Sequence, residues 1–70
     1  MNLLEDISKK LETSDACKFL TGKQLKRMDG DWTIKYDWKL FDANNRSIAE
    51  SKWEGFDSLE EALTDMLSNI

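Results

Sequence analysis

Residues 32–54 read WTIKYDWKLFDANNRSIAESKWE, and their pattern sets the architecture that we predict for the chain. Residues 32–41 alternate strictly between two sides, and such a period of two predicts a half-buried strand of an antiparallel sheet. The members on the side predicted to meet the helices are Trp32, Ile34, Tyr36, Trp38 and Leu40. Asn44-Asn45 favours a two-residue hairpin turn after this strand, because asparagine tolerates a positive φ.

This turn sets a register for the hairpin. On the helix side the predicted facing pairs are Leu40–Ala49, Trp38–Ser51 and Tyr36–Trp53. On the outer side they are Phe41–Ile48 and three pairs of opposite charge, Lys39–Glu50, Asp37–Lys52 and Lys35–Glu54. Each charged pair contributes about 0.2–1 kcal/mol. A shift of one residue would separate all three, so the register is strongly specified.

Helical periodicity predicts one helix before this sheet and one after it. Leu3, Ile7 and Leu11 share a face of the first helix, and Asn2 is placed to cap its start. Ser58 followed by Glu61 forms the capping box of the last helix. The apolar stripe of that helix comprises Leu59, Ala62, Leu63, Met66, Leu67 and Ile70.

The segment between the first helix and the central strand is less regular. Residues 16–20 are expected to form a short helical turn that stops at Gly22, followed by a strand over 23–28. Asp29-Gly30 favours a hairpin turn that places Leu25 opposite Ile34. We therefore predict one domain over residues 1–70, of class α+β and order α-β-β-β-α. Its three-stranded antiparallel sheet carries both helices on one face.

The residue inventory argues against catalysis. The chain has no histidine, which removes the commonest general base and the commonest metal ligand, and its one cysteine has no base partner in the sequence. Neither a glycine-rich phosphate loop nor a calcium-binding loop motif occurs. We predict a protein that is not an enzyme and that needs no metal or cofactor.

The same inventory bears on location. A single thiol, Cys17, cannot form an internal disulfide, which suits a reducing compartment. Acidic residues stand where a secretory signal has lysines, and no stretch approaches the roughly 20 apolar residues of a membrane span. We expect a cytoplasmic protein without a membrane partner.

The element order and the stretch GFDSLEEAL at residues 55–63 resemble the double-stranded RNA-binding domain. Ser58 and Ala62 match the signature of that family, whereas its three phosphate-binding lysine positions hold Leu59, Glu60 and Leu63. The histidine-containing loop of the family corresponds here to residues 29–32, which lack a histidine. The run GFDSLEEA is also similar to the arm-binding domain of tyrosine integrases. The resemblances imply the fold and leave the family's RNA contacts unmatched.

Charge is distributed unevenly along the chain, whose net charge is −4. Residues 16–28 carry four bases and no acid, and the bases are Lys18, Lys23, Lys26 and Arg27. This run is a candidate for direct nucleic-acid binding. In the predicted register Trp32, Tyr36 and Trp38 point to the helices, so the run lacks aromatic partners for base stacking. The alternative is that one of Trp32 and Trp53, which lie near strand ends, is partly exposed and available to a partner. The run is equally explained as a solvated loop and edge strand whose lysines discourage pairing.

Two further surfaces are candidates for contact with a protein. The first is the outer-sheet pair Phe41–Ile48, rimmed by Arg46, Glu50 and Lys39, which is otherwise a stabilising cross-strand pair. The second is a set of acids in and before the last helix, which are Glu54, Asp57, Glu60, Glu61 and Asp65. They present spaced negative charge to a basic protein surface, or they are a solvated face that complements the helix dipole.

These features lead to one functional hypothesis and one alternative. The hypothesis is a small acidic regulator or inhibitor that binds a protein, monomeric or homodimeric, through the acidic helix and the outer sheet. Compact acidic domains are common among products of phages and mobile elements, so a host protein, including one that binds nucleic acid, is the expected partner. The alternative is direct nucleic-acid binding through the four bases of residues 16–28.

Overall fold

The computed structural model describes residues 2–70, and its five elements follow the order α-β-β-β-α. The elements are α1 (Leu3–Glu12), β1 (Lys18–Met28), β2 (Asp31–Phe41), β3 (Ser47–Glu50) and α2 (Leu59–Leu67). The strands form one antiparallel sheet in the order β1-β2-β3. The predicted α+β class and element order are therefore confirmed.

Each helix begins at a side chain that accepts hydrogen bonds from free backbone N–H groups. Asn2 Oδ1 accepts from the N–H of Leu4 at 3.1 Å and from that of Glu5 at 3.4 Å. Ser58 Oγ accepts from the N–H of Glu61 at 3.1 Å. Since the first N–H groups of a helix have no partner inside it, these contacts define where α1 and α2 start, and both predicted caps are confirmed.

The core lies between the helices and the second half of β2. Trp38 and Leu40 are 2% and 1% exposed, and they pack with Ile7 of α1 and Met66 of α2, which are fully buried. The Trp38 indole Nε1–H donates to Asp65 Oδ2 at 3.0 Å. A buried indole N–H without an acceptor would cost free energy, so this bond and the packing together hold α2 on the sheet.

The helical turn predicted for residues 16–20 is wrong, because strand β1 already begins at Lys18. Phe19 lies opposite Leu40 in the sheet, and its side chain packs against the core. A short apolar run fits a helix and a strand equally well from sequence. Pairing with β2 and burial beside Leu40 outweigh the small local preference for a helix.

The first hairpin has the predicted two-residue turn. Asp29 and Gly30 adopt φ values of 53° and 84°, which are both positive, as in the turns whose twist matches the flanking strands. Leu25 consequently lies opposite Ile34, as predicted.

The second hairpin turn is one residue longer than predicted. The N–H of Asn45 donates to the carbonyl of Asp42 at 3.0 Å, and the N–H of Asp42 donates to the carbonyl of Arg46, also at 3.0 Å. The loop therefore comprises residues 43–45, with Asn45 at φ 63°. Asp42 Oδ1 also accepts from the N–H groups of Asn44 and Arg46, which favours this longer turn over one at residues 44–45.

A bulge compensates for the longer turn. Phe41 lies opposite Ser47, so the predicted pair Phe41–Ile48 is wrong. The pairing shifts by one residue between Leu40 and Phe41. Beyond the shift, the pairs Leu40–Ala49 and Lys39–Glu50 form as predicted.

The chain leaves the sheet after Glu50 and turns at residues 52–55, where Gly55 adopts φ 71°. It returns at Phe56, which exchanges two backbone hydrogen bonds of 2.8 Å with Tyr36. Two predicted pairs are therefore wrong: Tyr36–Trp53 is replaced by Tyr36–Phe56, and Lys35–Glu54 by the ion pair Lys35–Asp57. Among residues 2–70, no ion pair joins Asp37 to Lys52.

The helices cover only part of the β1–β2 hairpin. Helices of 10 and 9 residues are about 14–15 Å long, whereas strands of 11 residues extend over about 36 Å. Trp32 lies on the same side of β2 as Trp38 but is 64% exposed, and Trp53 is 71% exposed. Of the aromatic residues expected in the core, Trp32 and Trp53 are therefore not buried, and both have the exposure that was the alternative for one of them.

We expect Gly55→Ala to lower the free energy of unfolding by roughly 2–4 kcal/mol. A Cβ at this positive φ would also lie 3.0 Å from the carbonyl oxygen of Tyr36, which is backbone and cannot move aside. Gly30→Ala is the matched control, because its φ is positive but no atom lies within 4 Å of the added Cβ. It should cost only about 1–2 kcal/mol in urea titrations. Equal losses would contradict the described close approach at Gly55.

We expect Asp65→Ala to lower the free energy of unfolding by about 1–3 kcal/mol, because it leaves the buried Trp38 indole N–H without an acceptor. Asp65→Asn keeps a side-chain oxygen and should lose less. Glu12→Ala, an exposed acid on α1, should change stability by no more than about 0.5 kcal/mol. Chemical unfolding followed by circular dichroism measures all three, and equal losses for the two Asp65 variants would argue against the hydrogen bond.

Candidate functional site

The uncovered half of the β1–β2 hairpin exposes a contiguous apolar surface on the helix side of the sheet. Residues that face each other in an antiparallel pair share one side, so Leu25 and Ile34 lie side by side, with Trp32 two residues along β2. Leu25 is 62% and Ile34 47% exposed, close to the 64% of Trp32. Together with Lys23 and Arg27 they form what we call the distal face.

Two cations flank the apolar residues of the distal face. Lys23 lies opposite Tyr36, and Arg27 lies opposite Trp32, and both cations are exposed. Among residues 2–70, neither takes part in an ion pair. The distal face is thus an apolar centre with a positive margin, on a protein whose net charge is negative.

The four bases of residues 16–28 are divided between the two sides of the sheet. Lys18 and Lys26 lie on the outer side, opposite Phe41 and Thr33, and only Lys23 and Arg27 belong to the distal face. Lys18 Nζ is 5.7 Å from the centre of the Phe41 ring. The structure therefore does not assemble the four bases into one surface.

The outer side of the sheet carries a shallow groove of about 450 Å³. Lys26 crosses it, with Nζ donating to the carbonyl of Trp53 and lying 4.7 Å from the centre of its ring. Lys39 and Glu50 form an ion pair of 3.7 Å beside it. Apart from the exposed side chains of Leu20 and Trp53, the groove is lined mainly by polar and charged residues, and the predicted Phe41–Ile48 pair is not part of it.

Phe41 and Ile48 do not face each other as predicted, because the bulge places Ser47 opposite Phe41. Ile48 is 47% exposed and lines a cleft of about 370 Å³ together with Leu40 and Ala49, residues that face the helices. Arg46, predicted as part of the rim, lies 3.5 Å from Asp42 in the hairpin turn. The Lys39–Glu50 pair of the predicted rim is retained, whereas the facing Phe41–Ile48 pair at its centre is not.

The acidic residues have mixed surroundings. Asp57 pairs with Lys35, and Asp65 accepts the Trp38 indole hydrogen bond, so these two have structural partners. Glu54, Glu60 and Glu61 are exposed, and within residues 2–70 they form no ion pair. Glu60, Glu61 and Asp65 line one open cleft of about 830 Å³ along α2. The helix thus keeps part of the predicted negative surface.

Among residues 2–70, no three histidine, cysteine, aspartate or glutamate side chains cluster so as to hold a metal ion. Cys17 is exposed and has only a weak contact, 3.9 Å from Sγ to the carbonyl oxygen of Asp15. No helix in the described part of the chain is long and apolar enough to cross a membrane. Comparisons with protein-family models, with curated proteins and with solved structures found no match. The resemblance to the double-stranded RNA-binding domain stays a prediction.

The distal face was not predicted from the sequence, because alternation assigns Trp32 and Ile34 to the helix side without showing how far the helices extend. A signal was nevertheless present. The predicted strands over 23–28 and 32–41 extend beyond the reach of two helices of about three turns each. Comparing these lengths would have shown that part of the hairpin stays uncovered, but not which end of it.

The three tryptophans should differ in their access to solvent. We expect acrylamide to quench Trp32 and Trp53 strongly and Trp38 weakly. The variant with Trp32→Phe and Trp53→Phe should show blue-shifted emission that resists quenching, whereas Trp38→Phe should leave red-shifted, quenchable emission. Strong protection of Trp32 in a monomeric sample would contradict the described exposure of the distal face.

Proposed function

We propose that this chain is a protein-binding regulator or inhibitor without catalytic activity, and that it contacts its partner through the distal face. One observation carries the proposal: Leu25, Trp32 and Ile34 form an exposed apolar surface on a small protein that has few apolar residues to spare. Contiguous exposed apolar surface on a soluble protein commonly marks an interaction site.

The composition of the distal face favours a protein over a nucleic acid. Two of its three apolar residues are aliphatic, and aliphatic side chains offer no ring on which a base stacks. Leu25 and Ile34 next to Trp32 instead match the centre of a protein interface, where large apolar side chains are buried and charges lie at the margin. Lys23 and Arg27 at the margin favour a partner surface that bears acidic groups.

The acidic cleft along α2 supports a second contact of the same regulator. Glu60 and Glu61 project freely from the start of the helix, whereas Asp57 and Asp65 already have partners in the fold. A basic surface on the partner would pair with the two free carboxylates. Because surface charge pairs contribute little affinity, this contact would mainly affect the association rate and its dependence on salt.

Affinity capture from cells that express the chain tests the proposal. The double variant Leu25→Ser/Trp32→Ser should lose at least 90% of a partner that the wild type retains, because hot-spot residues of this kind contribute about 2 kcal/mol or more each. The matched control is Leu4→Ser/Trp53→Ser, which replaces two equally exposed residues elsewhere. Loss with the control and retention with the distal variant would overturn the assignment of the site.

Direct nucleic-acid binding is a second candidate, because the structure exposes Trp32 beside Arg27, a ring and a cation suited to single strands. Titration of duplex and single-stranded oligonucleotides at low salt tests it. Binding that falls steeply with salt and disappears in Lys26→Glu/Arg27→Glu would favour this candidate over the protein-binding one. Absence of binding at low salt would exclude it.

A further inference from the structure

We propose that the free edge of β1 binds an extended, acidic segment of a partner protein as a fourth strand of the sheet. The inference rests on the proposed function, since it states how the partner that covers the distal face is held.

The hydrogen-bonding direction of β2 shows which groups of β1 are free. Tyr36 and Trp38 bond through their backbone toward the third strand, because the N–H of Tyr36 donates to Phe56 and the carbonyl of Trp38 accepts from Ser51. Backbone groups alternate along a strand, so the odd-numbered residues of β2 bond toward β1. The hydrogen bond from the N–H of Cys17 to the carbonyl of Phe41, at 2.8 Å, has this direction.

The register then assigns the groups of β1. Its even-numbered residues face the odd-numbered residues of β2 and bond to them. The N–H and carbonyl groups of the odd-numbered residues therefore point away from the sheet, at an edge that no other strand of residues 2–70 covers. These residues are Phe19, Thr21, Lys23, Leu25 and Arg27.

Three of these residues also supply side chains to the distal face. Lys23, Leu25 and Arg27 combine a free backbone edge with exposed side chains, two of which are cationic and one apolar. A strand added here would gain ladder hydrogen bonds and would place alternate side chains next to Leu25 and its neighbours. The edge and the face thus form one continuous binding surface.

Charge identifies the occupant of this edge. Residues 16–28 contain four bases and no acid, so pairing with a second copy of β1 would place like charges opposite each other. Lysines on an edge strand also disfavour the addition of an uncharged strand. An acidic strand instead gains from each cation. In antiparallel pairing, acids would face Arg27, Lys26 and Lys23, and an apolar residue would face Leu25. Read in the direction of the added strand, this pattern is Glu-Glu-Val-Thr-Glu.

The probe is a capped peptide that contains Glu-Glu-Val-Thr-Glu between two threonines. We expect added protection from hydrogen exchange at the odd-numbered amides of β1 and little change at its even-numbered ones, which are already bonded. N-methylation of the valine should abolish binding, because its N–H points to β1. N-methylation of the threonine that follows the valine should be tolerated, because its N–H points away from β1. Equal effects of the two methyl groups would overturn strand addition.

Charge reversal tests the recognition. Lys23→Glu/Arg27→Glu should weaken binding at least about tenfold, since two attractive cross-strand pairs become repulsive. The same variant should bind the peptide in which lysine replaces the two glutamates that face residues 23 and 27, a rescue that a merely misfolded variant would not show. Lys9→Glu/Lys10→Glu on α1 is the control with the same change of net charge, and it should bind as the wild type does.

Failure of this inference is distinguishable from failure of the proposed function. No saturable peptide binding up to about 1 mM, or shifts confined to other residues, would overturn strand addition. If a captured partner still depends on Leu25 and Trp32, the proposed function would stand. Concentration-dependent protection of the β1 amides without peptide would instead identify a second copy as the occupant, and protection by an oligonucleotide would identify nucleic acid. Either result would overturn the inference.

Discussion

Burial of Trp38 under α2 is the interaction on which the rest of the structure depends. Its ring fills the space between sheet and helices, and its indole N–H is anchored to Asp65 on that helix. In a chain of 70 residues without a disulfide, few other side chains supply comparable buried area. These contacts fix the position of α2 along β2, and therefore they decide which part of the sheet the helices cover.

Because the helices are short, they leave one end of the β1–β2 hairpin uncovered, and this end carries the distal face. Because α1 and α2 cover the end of the sheet near Trp38, the other end of the β1–β2 hairpin projects with Leu25, Trp32 and Ile34 exposed. The exposed side chains of this end lie next to the free backbone edge of β1. A single strand thereby combines exposed apolar side chains, cationic side chains and free backbone groups, and the proposed binding function rests on this combination.

Local pattern predicted most of the fold. Asn2 and Ser58 marked the helix starts, and Asp29-Gly30 marked the first hairpin, because caps and tight turns depend on a few neighbouring residues. The second hairpin was predicted one residue too short, since Asp42 satisfies the loop amides of a longer turn. The two pairs next to the bulge, Leu40–Ala49 and Lys39–Glu50, were nevertheless correct, because opposite charge and burial restore the register there. The predicted partners of Tyr36 and Lys35 were wrong, because the chain leaves the sheet after Glu50.

The sequence by itself determined the α+β class, the order of the elements and the central strand, because these depend on periodicity and residue type. Only the tertiary structure decided which apolar side chains are buried. Trp32 and Trp38 are equivalent in the alternation of β2, and they differ only in whether a helix lies above them. Whether a residue of β2 is covered depends on where α2 docks on the sheet. That position results from contacts between segments far apart in the sequence, which the alternation along one strand does not show.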